Sequence, residues 1–121
     1  MNMEFVFEND RPIYIQIVEY LRIEIISGSF KMGEKIPSVR DLSTIVKVNP
    51  NTMQKALLEL EREGLIYTER TNGKFVTNDK SLIEKVKEEI IKEKLDTFLN
   101  DMKKIGITDE EIKKYLEKEK R

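Results

Sequence analysis

Five side chains able to make hydrogen bonds, Asn49, Asn51, Thr52, Gln54 and Lys55, stand within one seven-residue stretch, separated only by Pro50 and Met53. Asparagine and glutamine match the donor–acceptor edge of adenine. Lysine and threonine suit phosphate, and lysine also reaches guanine. The chemistry on offer is recognition. The chain has no histidine and no cysteine, which removes imidazole and thiol catalysis, disulfides and Cys/His zinc sites. Carboxylates and lysines are abundant, but no pair stands in a catalytic arrangement. No catalytic residue, cofactor or metal is expected.

A helix must carry these side chains. Asn49 can cap its start, and Pro50 suits the first helical position, where a missing N–H costs nothing. Met53, Ala56, Leu57 and Leu60 fall at the spacing of one buried face. Asn51, Thr52, Gln54 and Lys55 therefore point away from the core at the helix N-terminus, and Gly64 stops the helix. The plain alternative is an ordinary solvated face. Net charge is −1, so overall basicity does not point to nucleic acid. The distribution is more telling: residues 42–58 hold Lys47 and Lys55 but no acid, and residues 70–78 hold Arg70 and Lys74 but no acid.

The surrounding elements follow from pattern. Phe5 and Phe7 suit a short extended lead. A first helix spans about Pro12 to Ser27, with Ile13, Ile17, Leu21, Glu24 and Ile25 marking its rows, Ile15, Val18 and Ile26 widening the apolar stripe, and Gly28 its stop. Phe30 to Ile36 reads as a turn. Ser38, with Asp41 three residues on, caps a second short helix whose Val39, Leu42 and Ile45 face inward. Lys47-Val48 then makes the turn into the helix that Asn49 opens, at a cost if Lys47 takes positive φ. Two helices so joined form a helix-turn-helix. Leu65–Thr68 and Lys74–Thr77 read as strands around an Asn72-Gly73 hairpin turn. This wing carries Arg70, Thr71, Asn72 and Lys74 at its tip.

After Asp79 the composition changes. Ser81 to Glu84 reads as a capping box opening a long helix that ends at Gly106, and Thr108 to Glu111 as another opening a last helix. Ile83, Val86, Ile90, Leu95, Phe98 and Met102 make an apolar stripe with no partner in the tail. Two amphipathic helices cannot form a core alone; they need the N-terminal domain or a second copy of the chain, and the stripe is expected mainly at a homodimer interface. The expected fold class is α+β, mainly α: a winged helix-turn-helix domain over residues 1–78 and a two-helix dimerisation appendage over residues 79–121. No signal peptide or membrane-spanning run is read, so a cytoplasmic protein is expected.

The runs Pro12-Ile13-Tyr14-Ile15-Gln16-Ile17, Ile36-Pro37-Ser38-Val39-Arg40-Asp41-Leu42, Asn49-Pro50-Asn51-Thr52, Leu60-Glu61-Arg62-Glu63-Gly64-Leu65-Ile66 and Gly73-Lys74-Phe75-Val76 resemble the GntR family of bacterial transcription regulators. The Val48-to-Thr52 run and the short tail look like its YtrA subfamily. The resemblance implies a repressor that binds an inverted-repeat operator in double-stranded DNA as a homodimer, with no large effector domain and with transporter genes as neighbours. It implies that Ser38 and Arg40 meet the DNA backbone or an adjacent base, that Thr52 contacts phosphate, and that Gly73 lets the wing approach the minor groove. Many relatives carry arginines where this chain has Pro50 and Gln54. Asn51, Gln54 and Lys55 are left as base readers. The competing expectation is a winged-helix module that binds protein. Steep loss of affinity with salt separates the two.

Overall fold

Pro12 precedes the first helix, α1 (Ile13–Ile26), without a side-chain cap. The inward row of α1 is Gln16, Ile17, Val18, Leu21 and Ile25, while Ile13 remains exposed. The computed structural model describes residues 6–119, so Phe5 lies outside the described residues; Phe7 is half-buried. Buried Gln16 fastens the leading segment. Its Nε2 donates to the Glu8 and Arg11 carbonyls, both at 2.9 Å, and its Oε1 accepts the Glu8 amide at 2.8 Å. A buried amide without such partners would be destabilising.

Ser38 Oγ accepts the Asp41 amide at 3.1 Å and caps α2 (Val39–Val46), as expected. Leu42, Ser43 and Val46 are buried. Ile45, expected inward, is exposed. So short a helix buries one narrow row, and Val46, four residues after Leu42, takes the second place in it. Lys47 closes α2 at φ 61°, the only positive φ outside glycine among the described residues. Asn49 Oδ1 then accepts the Asn51 amide at 2.7 Å, and Pro50 opens α3 (Pro50–Arg62). Met53, Ala56, Leu57 and Leu60 are buried, so the expected face is the observed one. It packs against α1 and α2. Arg22 of α1 grips Glu63 with two parallel bonds of 2.9 and 2.7 Å, tying the far end of α3.

The wing is β1 (Ile66–Glu69) antiparallel to β2 (Gly73–Val76), in register from Ile66↔Val76 to Glu69↔Gly73. Tyr67 stacks on Phe75 across the pair, ring centres 5.7 Å apart. The loop is Arg70-Thr71-Asn72, inside the expected Glu69-to-Gly73 connection, with Glu69 and Gly73 paired as the end residues of the two strands. The Asn72 amide reaches back to the Glu69 carbonyl at 3.3 Å, and Gly73 follows at φ 103°. A turn of this hand needs a positive-φ residue after it to rejoin the strand twist, and glycine supplies that freely. The segment expected as a simple turn before α2 also bridges to the free edge of β2. Val76 donates to Glu34 at 2.9 Å, Gly33 to Val76 at 3.0 Å and Ile36 to Lys74 at 2.9 Å, with Lys35 opposite Phe75.

The chain forms two compact units, Met1–Val86 and Lys87–Arg121. The division falls inside α4 (Lys80–Lys104) rather than before it. Asp79, not Ser81, caps α4: its Oδ1 accepts the Leu82 amide at 3.1 Å and the Ser81 hydroxyl at 2.6 Å. Those bonds hold the Asp79 carboxyl below its ordinary value. Ile83 and Val86 are buried and belong to the N-terminal unit, so they are not part of a free stripe. Leu82 explains why: its Cδ2 lies 3.2 Å from where a Cβ on Gly64 would stand, placing the first turn of α4 on the end of α3.

In the second unit, Thr108 and Glu111 cap α5 (Asp109–Glu119) reciprocally, each backbone amide donating to the other side chain at 3.2 Å. Ile112 is buried, whereas Leu95 and Phe98 are 52% and 39% exposed. A cleft of about 400 Å³ opens between the helices, lined by Phe98, Met102, Ile105, Ile112, Tyr115 and Leu116. No helix among the described residues is long and apolar enough to cross a membrane.

Candidate nucleic-acid interface

The start of α3 presents Asn49, Asn51 and Lys55 exposed, with Thr52 and Gln54 partly so. Partial positive charge from unpaired backbone N–H groups gathers at this end of the helix. The Asn49 carbonyl oxygen is occupied by the cap, which leaves its NH₂ to donate elsewhere. Lys55 is less free than the sequence implies. Its Nζ sits 4.0 Å from the centre of the Tyr14 ring in α1, a contact worth about 0.5–1 kcal/mol at an exposed site.

At the start of α2, the Ser38 hydroxyl accepts from Asp41 and still has its own hydrogen to give to a phosphate oxygen. Arg40 is exposed, and no carboxylate among the described residues pairs with it. On the wing, Arg70 is likewise exposed and unpaired. Asn72 Nδ2 donates to Glu69 at 3.0 Å, so Asn72 braces the loop.

Lys74 does not stand at the tip. Its ammonium pairs with Glu61 of α3 and donates to Thr68 Oγ1 at 2.9 Å, and its side chain is only 17% exposed. Thr68 also bonds Glu61. Burial pushes the Glu61 carboxyl up, but the hydrogen bonds from Lys74 and Thr68 and the Lys74 charge outweigh it and hold that carboxyl below its ordinary value. Lys74 therefore rivets the wing to α3. The sequence does contain the reason, since Thr68 and Lys74 are cross-strand partners, but Glu61 is brought to them only by the turn at Gly64. Tyr14, Lys35 and Glu61 are the site residues that local pattern misses, each acting through a partner distant in sequence.

No group of acids among the described residues is arranged to hold a metal ion. The geometry offers two helix starts and a wing bearing hydrogen-bond donors and unpaired cations, a surface suited to a polyanion with readable edges.

The chain is similar in sequence and fold to known proteins. The "HTH-type transcriptional repressor YtrA" of Bacillus subtilis (strain 168) is 40% identical over 106 residues, 87% of this chain and 82% of that protein. A "GntR family transcriptional regulator from Listeria monocytogenes" superposes with a TM-score of 0.87 at 42% identity, covering 94% of this chain and all of that one. The structure titled "AraR(DBD) in complex with operator ORX1" superposes at 0.58 with 28% identity, over 64% of this chain and 99% of that one. Residues 13–76, from the start of α1 to the end of β2, match the family model described as "Bacterial regulatory proteins, gntR family", and the chain belongs to that family.

Proposed function

We propose that the protein is a sequence-specific transcriptional repressor that binds an inverted-repeat operator in double-stranded DNA as a homodimer, in the cytoplasm and without a cofactor. The observation that carries this reading is the capped, acid-free start of α3. Asn51, Thr52, Gln54 and Lys55 project there from a helix whose opposite face is fully buried. The similarity to YtrA, named a repressor, and to an AraR domain bound to operator supports it. The second unit, beginning at Lys87, is the dimerisation appendage. Its exposed Leu95 and Phe98 and the cleft bordered by Met102 are apolar surface of the kind a second copy covers. Ile90, partly exposed just past the boundary, extends it.

The test is footprinting of the full chain on the DNA upstream of its own gene and of neighbouring transporter genes, together with sedimentation. Expected are two protected half-sites about 34–36 Å apart, or a multiple of that, a dimer in solution, and affinity that falls steeply with salt. A monomer that binds no DNA, or binding indifferent to salt, overturns the reading in favour of a protein-interaction module.

A further inference from the structure

Because Lys74 is committed to Glu61, the loop end of β2 would lack a cation for phosphate unless another chain segment supplied one. Lys35 comes from the α1–α2 connection. The Val76-to-Glu34 and Ile36-to-Lys74 backbone bonds on either side fix its position against β2. Its stem crosses Gly73: a Cβ there would stand 3.1 Å from Lys35 Cε and 3.8 Å from Nζ. The side chain is exposed, and no carboxylate among the described residues pairs with it. It also borders the cavity of about 820 Å³ that Ser38 borders, so it stands between the wing and the start of α2. Glu24, Glu34 and Asp41 line the same cavity, but none reaches the ammonium as an ion pair.

We propose that Lys35 is the wing's phosphate-binding lysine in place of Lys74, and that Gly73 lacks a side chain partly to let the Lys35 stem pass. The inference rests on the DNA-binding function proposed above. A lysine here acts as a point charge on the sugar–phosphate backbone. It contributes to affinity for any duplex and to no base preference.

The experiment titrates a fluorescein-labelled duplex of random sequence with the full chain over a range of salt concentrations. Wild type is compared with Lys35→Met, Lys35→Gln, Lys35→Arg and Lys74→Met, each also melted without DNA. Both uncharged Lys35 variants should lower the log–log salt slope by about 0.9 per protomer, and Lys35→Arg should restore it. Lys74→Met should keep the slope and melt earlier, since Glu61 loses its partner. If wild type binds and the uncharged Lys35 variants keep its slope, the proposal fails while the DNA-binding function stands. The same holds if they keep the slope but melt earlier, which would make Lys35 an internal counter-charge to Glu24, Glu34 and Asp41. Loss of slope in Lys74→Met also overturns it. Absence of salt-dependent binding by wild type overturns the function and the inference together.

Discussion

At Gln54 a partly exposed amide stands at the second turn of α3, beyond the cap, with one neighbour, Met53, fully buried and the other, Lys55, drawn toward Tyr14. Under the proposed function this amide chooses a base. Gln54→Ala should cost about 1–3 kcal/mol against one base position and little elsewhere. A panel of single-base operator variants reads this directly, and a uniform loss would make Gln54 a phosphate ligand instead. Arg40 should behave in the opposite manner. Exposed and unpaired at the start of α2, it is placed for the backbone, so Arg40→Ala should weaken all sequences alike and lower the salt slope by about 1. A changed sequence preference without that loss would refute the assignment. Glu61 sets a pH dependence of stability. Its folded carboxyl titrates below its ordinary value, so its contribution is complete above the ordinary carboxylate range and is lost as pH falls through the lowered folded value. Melting curves taken from neutral into acid should show a shallower decline for Glu61→Gln than for wild type, from a lower starting point. Parallel curves would show that the Lys74 pair contributes nothing to the acid response.

Among the elements, α3 was the most legible in sequence, because every signal for it is local: the Asn49 cap, Pro50 at the first turn, the buried row at helical spacing and Gly64 beyond the end. The caps at Ser38 and Thr108 were readable for the same reason. Near α4 two candidate caps stood two residues apart, and the carboxylate of Asp79 took the place assigned to the Ser81 hydroxyl. The wing was legible as a hairpin but not in its detail. Loop length depends on the register between strands, and the bridge from residues 33–36 meets β2 across some forty positions of chain, which no short-range pattern records. The turn between α2 and α3 carries its own prediction. Lys47 holds a left-handed conformation that costs an L side chain about 1–2 kcal/mol. Lys47→Gly should raise the unfolding free energy by somewhat less than that, since glycine adds freedom to the unfolded chain. Chemical denaturation measures it, and a destabilised variant would mean that the Lys47 side chain makes a stabilising contact outweighing its backbone strain.

For the whole molecule, the sequence separated a winged domain from a helical tail but could not say that the first turns of α4 belong to the former. Ile83, Val86, Leu95 and Phe98 look alike as a stripe, and only the packing of Leu82 beside Gly64 divides them. The proposed dimer therefore depends on the stripe beyond Val86. Leu95→Glu, which places a charge in that surface, should shift the full chain toward monomer in sedimentation and weaken binding to a two-half-site operator far more than to a single half-site. An undiminished dimer would relocate the interface. The sharing of α4 also orders events as the chain leaves the ribosome. Ile83 and Val86 complete the core of the DNA-binding unit, so that core is whole only once the opening turns of α4 have emerged. The apolar surface that follows emerges only after them. If the proposed dimer forms through the tail, each protomer can finish its reading head before it meets a second copy, and the order of synthesis disfavours premature pairing of unfolded nascent chains.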